Sequence, residues 1–228
     1  MLTTRKTIVR DAIGIGLGVA SYGVSFGALG VTSGLTVLQT QALSILMFTG
    51  ASQFAFVGVI AAGGAGLSAI AAALMLGIRN FPYGLRMNVL VRPRGWQKVA
   101  AAQLTIDEST AMGLAHEKGP DGEAGGRYGF WATGVSVFVF WNLSTAIGAF
   151  AAASAGDPLT FGLDSAIAAG FVALLWPQLT NTLNRVTAVA MTGLTIFVIP
   201  LVAPGFPILI AGCGAIAMGL AHSLRSAR

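Results

Sequence analysis

Residues 12–32 read AIGIGLGVASYGVSFGALGVT, and no charged residue follows them until Arg79. An α-helix rises about 1.5 Å per residue, so about 20 apolar residues cross the hydrocarbon core of a bilayer. The charge-free run from 12 to 78 therefore holds roughly three crossings. Further charge-free runs cover 128–156, 165–184 and 186–224, and by the same measure they hold roughly one, one and two helices. The window between Lys98 and Glu117 adds another. The expected fold is an all-α integral membrane protein, a polytopic bundle of about seven or eight segments. It forms a single domain over residues 1–228.

Composition agrees. The chain has 13 Lys and Arg and 8 Asp and Glu, so 9% of residues are charged, against about 25% in a soluble domain. Hydrophobic types make up 55%, and the mean hydropathy is +0.78. So few charges cannot solvate so much apolar surface, which excludes a soluble enzyme and a disordered chain. The net charge of +5 does not indicate nucleic acid. The basic residues are few and flank apolar segments, as cytoplasmic flanks of membrane helices do. Cys213 is the only cysteine, so no internal disulfide forms, and it reads as a small packing residue. Arg5, Lys6 and Arg10 precede the first apolar stretch as in a signal peptide. That stretch leads straight into further apolar segments, so it reads as a retained helix.

Turn and breaker residues place the segments at about 12–32, 38–61, 67–81, 99–115, 128–153, 165–182, 186–202 and 208–223. The hydrophilic loop 116–127 lies between the halves. Arg5, Lys6 and Arg10 at one end, with Arg225 and Arg228 at the other, put both termini in the cytoplasm. Arg185 inside and Asp157 and Asp164 outside fit eight crossings. The basic stretch of Arg86, Arg92, Arg94 and Lys98 does not fit, because three crossings before it would leave it outside. Either the third segment is re-entrant and the total is odd, or this loop breaks the rule. Segments two and six each carry a glutamine, Gln53 and Gln178, beside a helix breaker, Gly50 and Pro177. Many secondary transporters are repeats with broken helices at matching positions.

Three charges stand apart from the flanks. Asp107 and Glu108 lie at the centre of the window from 99 to 116. If that window spans, both carboxylates sit near the bilayer midplane, where a charge costs about 2.5–3.5 kcal/mol and normally faces a cavity or a partner. Asp107 continues a polar stripe with Gln103 and Thr110, so it is the better cavity candidate, and Glu108 is expected to face a neighbouring helix or a partner. An interfacial segment with both acids wet is the alternative. Arg79 ends the apolar run beside Asn80 and Pro82. It is a clamp for a substrate carboxylate, an ion-pair partner for Asp107, or a side chain that snorkels to the interface. Thr49, Gly50, Ser52 and Gln53 make a small polar patch in an apolar helix, suited to a polar solute or to close helix packing. Asn142, Gln178 and Asn181 are further polar residues in or near the segments. Gly14/Gly18, Gly23/Gly27 and Gly30/Gly34 are spaced for helix packing. His116 and His222 form no metal-ligand pattern, so no metal site and no cofactor is expected.

Taken together, Phe26-Gly27, the run from Phe48 to Phe54, Arg79 with Tyr83-Gly84-Leu85, and Thr105-Ile106-Asp107-Glu108 resemble the AzlC family of bacterial branched-chain amino acid exporters. The likeness covers almost the whole chain. It implies a multi-pass protein of the bacterial inner membrane that exports leucine, isoleucine, valine and sometimes methionine. It also implies a small membrane partner of the AzlD type. One departure stands out: the family commonly has Asn-Leu before the arginine, whereas Gly77-Ile78 precede Arg79 here and Asn80 follows it. The amide lies on another helix face.

The leading expectation is a proton-linked exporter of apolar amino acids. Arg79 or the amides of a broken helix would hold the carboxylate, and Asp107 would hold the ammonium or the coupled proton. Gln53, Thr49 and Ser52 would orient the substrate. The alternative is a substrate-binding or structural subunit of a larger transport complex. An intramembrane serine protease is disfavoured, because Ser52 has no histidine in a later mid-membrane position to activate it.

Overall fold

The computed structural model describes residues 2–155, 172, 175–203 and 205–226, and the secondary structure of these residues is helical. The order is α1 (Leu2–Thr32), α2 (Val37–Leu46), α3 (Ala51–Ala61), α4 (Gly66–Gly77), α5 (Asn80–Val91), α6 (Gln97–Gln103), α7 (Asp107–Glu117) and α8 (Gly122–Ser154). A 3-10 turn (Trp176–Gln178), α9 (Thr182–Val198), a second 3-10 turn (Ile199–Leu201) and α10 (Phe206–Ser226) follow. Among the described residues, α1, α8, α9 with its 3-10 extension, and α10 are long and apolar enough to cross a membrane. The protein is an all-α, multi-pass membrane protein. The expected segment at 165–182 and the turn at Asp157-Pro158 lie mostly outside the described residues.

The scaffold is a parallel pair, α1 and α8. Glycines let their backbones touch: a methyl group on Gly27 or Gly148 would run into the backbone of the other helix at Thr145 or Val24, and one on Gly23 into the Ser144 side chain. Small residues at helix interfaces permit such approach in membranes. The expected packing pairs hold only in part. Gly23 and Gly27 lie in this seam, whereas Gly14 and Gly18 face open space. Gly30 packs on Thr40, and Gly34 turns the chain at φ +92°. The pairings run in register from the start of each helix, with the Arg5 guanidinium 5.3 Å from the Tyr128 ring centroid.

Between α1 and α8 the chain returns once, through α4 and α5. Here the expectation of simple spans is corrected. The segment 38–61 is two short helices: α2 descends from the far end of α1, the chain breaks at 47–50, and α3 turns back. The ring of Phe54 in α3 packs edge-on to Phe26, in the far half of α1. The segment 99–115 is likewise two short helices, α6 and α7, with a break at 104–106 that turns the chain back to the basic end. The segment 67–81 continues past its expected end. Arg79 and the cap residue Ile78 keep right-handed helical torsions, so α4 and α5 form one kinked crossing. Pro82 accounts for the kink, since its missing N–H cannot bond the Ile78 carbonyl. That oxygen accepts from Phe81 instead.

This arrangement resolves the topology conflict of the basic stretch. The second segment turns back, not the third, so 86–98 lies at the same end as the N-terminus. Arg86 pairs with Glu117, and Arg92 pairs with Glu123 at 3.0 Å. Glu123 also pairs with Arg127 at 3.0 Å. The expected loop 116–127 is mostly helix, and its Glu117 and Glu123 neutralise two residues of the basic stretch, Arg86 and Arg92. Phe26, Phe54, Met87, Leu90, Phe130, Val137 and Trp141 form the core where the short helices meet α1 and α8.

Candidate functional site

The two broken pairs meet tip to tip, and each break is closed by its own sequence. Gly50 adopts φ 63° and ψ −91°, a conformation open to glycine and strained for other residues. Gln53, with 0% exposure, closes the gap. Its Oε1 accepts from the Gly50 N–H at 3.1 Å, and its Nε2 donates to the Leu43 carbonyl at 2.9 Å. One side chain thus serves both the start of α3 and the end of α2, as backbone groups without water require. Ser109 does the same for the second pair. Its hydroxyl accepts from the Ile106 N–H at 3.1 Å and donates to the Leu104 carbonyl.

Contacts between the tips are long-range. Gln103 Nε2 donates to the Ile45 carbonyl at 2.6 Å. Arg79, at the kink of the third crossing, reaches both tips through Nη2: the Thr49 carbonyl at 3.2 Å and Asp107 Oδ2 at 3.0 Å. Arg79 therefore ties α4–α5 to both breaks.

A cavity of about 350 Å³ lies at this junction. Thr49, Gly50 and Ala51 line it from the first tip, and Ile106, Asp107 and Glu108 from the second. Arg79, Tyr83 and Gln178 complete the polar wall, and Val19, Tyr22, Phe48, Val137 and Trp141 the rest. The N-termini of α3 and α7 both open at this place, so positive dipole ends and unbonded N–H groups face it. The first turn of α7 carries Asp107 and Glu108, whereas that of α3 carries no acid. Asp107 is held by Arg79. Glu108 has no cationic partner within 4.0 Å among the described residues. The site thus combines a carboxylate without an ion pair among the described residues, helix N-termini and an apolar wall.

Several expectations are corrected here. No stripe of Gln103, Asp107 and Thr110 exists, because the helix is broken between the first two. Asp107 and Glu108 line one cavity together, and Glu108 is the acid without a cation. Gln53 closes a break and does not line the cavity. Ser52 is 2% exposed, its hydroxyl has no partner among the described residues, and it does not line this cavity. Asn80 also lies off the cavity, its Oδ1 buried without a partner among the described residues. Asn142 donates to the Phe138 carbonyl at 2.8 Å and accepts from Gln41 at 3.2 Å. Asn181 caps α9 by accepting from the Asn184 N–H at 2.8 Å. Gln178 does line the cavity, and it stands on an exposed 3-10 turn unlike the setting of Gln53, so the two are not equivalent positions. The likeness in build is between the α2–α3 and α6–α7 pairs. Val19, Tyr22, Val137 and Trp141 escape sequence reasoning, since they look like ordinary apolar span residues.

A family model described as AzlC protein matches residues 14–154, which take in most of α1, all of α2 to α8, and every cavity residue except Gln178. The chain matches no curated protein and no solved structure. The matched region covers more than half of the chain and contains both broken pairs, so the chain belongs to the AzlC family, a family of membrane transport proteins.

Proposed function

We propose that this chain is a secondary transporter that exports branched-chain and similar apolar amino acids: leucine, isoleucine, valine and methionine. In this reading it uses the proton gradient and acts with a small AzlD-type membrane subunit in a bacterial inner membrane. The basic end, with Arg5, Lys6, Arg10 and the 86–98 stretch, faces the cytoplasm by the positive-inside rule. The observation that carries the reading is Glu108, a carboxylate with no ion pair among the described residues, in a cavity that also offers an apolar wall and two helix N-termini. An amino acid needs all three: a partner for its ammonium, a positive pole for its carboxylate and a surface for its side chain.

The same carboxylate supplies the coupling. Glu108 can be neutralised by a substrate ammonium or by a proton, but not by both at once. A carrier whose return requires a neutral Glu108 then exchanges one for the other. Asp107, held by Arg79, keeps the tips together while this happens. The test is efflux of labelled leucine from vesicles holding the chain with its partner subunit, with and without an imposed pH gradient. Gradient-driven efflux that valine and isoleucine compete for is the expected result. Leucine retention equal to that of empty vesicles sinks the proposal.

A second expectation concerns the first tip. Gly50→Ala places a Cβ where φ is 63°, at a cost of about 1–3 kcal/mol. The tip shifts to relieve that strain, and Gly50 and Thr49 line the cavity. Leucine efflux should fall about tenfold or more while the helical circular dichroism stays unchanged. Wild-type efflux by Gly50→Ala contradicts the placement of this tip at the substrate.

A further inference from the structure

Trp141 is a hydrogen-bond donor without an acceptor. It lies midway along α8, 2% exposed, stacked on Phe26 with ring centroids 5.9 Å apart and edge-on to Phe54 at 6.3 Å. Its Nε1 is buried and has no hydrogen-bond partner among the described residues. An indole N–H can only donate, and when buried it normally finds an acceptor. The residue lines the cavity together with Thr49, Gly50 and Ala51.

The start of α3 adds donors at the same place. The first helical bond of α3 runs from the Phe54 N–H to the Gly50 carbonyl at 3.1 Å. The N–H groups of Ala51, Ser52 and Gln53 thus have no acceptor within the helix. The Thr49 hydroxyl is also buried without a partner among the described residues. This N-terminus differs from that of α7, since no acid of its own first turn offsets its dipole. Arg79 stands beside them: its Nη2 holds Asp107 and the Thr49 carbonyl, and its Nε, buried without a partner among the described residues, is a further donor at the same junction.

We infer that Trp141 and the first turn of α3 form a carboxylate seat that sets the specificity of the cavity. The inference rests on the reading of the site as an amino-acid cavity and deepens it. The cargo lies with its carboxylate on Trp141 and α3 and its ammonium on Glu108 of α7, its side chain against the apolar wall. The cavity then rejects amines and alcohols that share the side chain but lack the carboxylate, because the buried donors are left unpaired.

The experiment measures binding to the purified chain with its partner subunit in lipid nanodiscs. The probes are leucine, isoamylamine, which lacks the carboxylate, and isovalerate, which lacks the ammonium. Trp141→Phe keeps a ring against Phe26 and removes the N–H. Ala51→Pro removes one amide at the first helical position, where proline is well tolerated. Wild type should prefer leucine to isoamylamine by about tenfold or more. Each variant should weaken leucine and isovalerate about tenfold and leave isoamylamine unchanged. Equal weakening of all three probes, or no change in any, overturns the seat. Size-exclusion profiles identify a misfolded variant, and the other variant then decides. A wild-type protein that binds isovalerate through Trp141 but exports no amino acid overturns the functional reading and leaves the seat standing. Amino acid export with unaltered leucine affinity in both variants does the reverse.

Discussion

Glu108→Gln is expected to lower gradient-driven leucine efflux about a hundredfold. Removing one partner from a desolvated charge pair costs about 2–5 kcal/mol, which spans that factor. The amide is nearly isosteric, so the first turn of α7 stays in place, and Ser109 still closes the break through Ile106 and Leu104. The loss therefore reports the charge and the proton, not the fold. The companion variant Asp107→Asn should behave differently. It frees Arg79 from its ion pair at 3.0 Å and loosens the junction, so efflux slows, but the residual flux keeps its dependence on the pH gradient. Efflux measured across imposed gradients separates the two. A Glu108→Gln protein that still follows the gradient shows that the coupling group lies elsewhere.

The second large effect concerns assembly. The double variant Gly27→Ala/Gly148→Ala is expected to abolish a monodisperse protein in mild detergent. Each added methyl meets backbone of the partner helix: the Thr145 carbonyl for Gly27, the Val24 carbonyl for Gly148. Backbone cannot swing aside as a side chain does, so α1 and α8 must separate. Overpacking costs typically about 1–3 kcal/mol at one site, so two such clashes in one seam cost about 2–6 kcal/mol, a large share of the roughly 5–15 kcal/mol that holds a typical domain. The control is Gly14→Ala/Gly18→Ala, where nothing lies within 4 Å. Alanine is the better helix former by about 1 kcal/mol per site, so the control should melt at the wild-type temperature or slightly above it. Equal melting temperatures for both double variants contradict a load borne by the glycine seam.

Much of the local build could be read before any fold was known. The apolar runs marked α1, α8, α9 and α10 to within a few residues at most of their ends, because hydropathy over about 20 residues is a property of composition alone. The breaks were less visible. A window average treats 38–61 as one span, since four small or polar residues hardly lower its mean. The signal that was present is short: Gly50 followed by Gln53, and Ile106 followed by Ser109, place a capping side chain three residues into a helix. Read as helix starts, these pairs divide both segments. They also reverse the direction of the chain, which moves the 86–98 stretch to the same end as Arg5 and removes the conflict in charge placement.

The candidate site divides along the same line. By itself the sequence determined a polytopic helical membrane protein. It also singled out the three charges that flanking roles leave unexplained: Arg79, Asp107 and Glu108. A charge surrounded by apolar residues is costly wherever the chain folds, so its importance is legible without a partner. Only the tertiary structure decided which acid is free. That choice depends on Arg79 standing at a kink within 3.0 Å of Asp107 and 3.2 Å of the Thr49 carbonyl, contacts between residues about thirty positions apart. It likewise decided that Trp141, one aromatic among many in an apolar helix, lines the cavity and has a buried indole N–H without a partner among the described residues. Periodicity and hydropathy describe each helix against its surroundings. The pairing of polar groups across helices is a property of their packing, and packing sets the chemistry of this cavity.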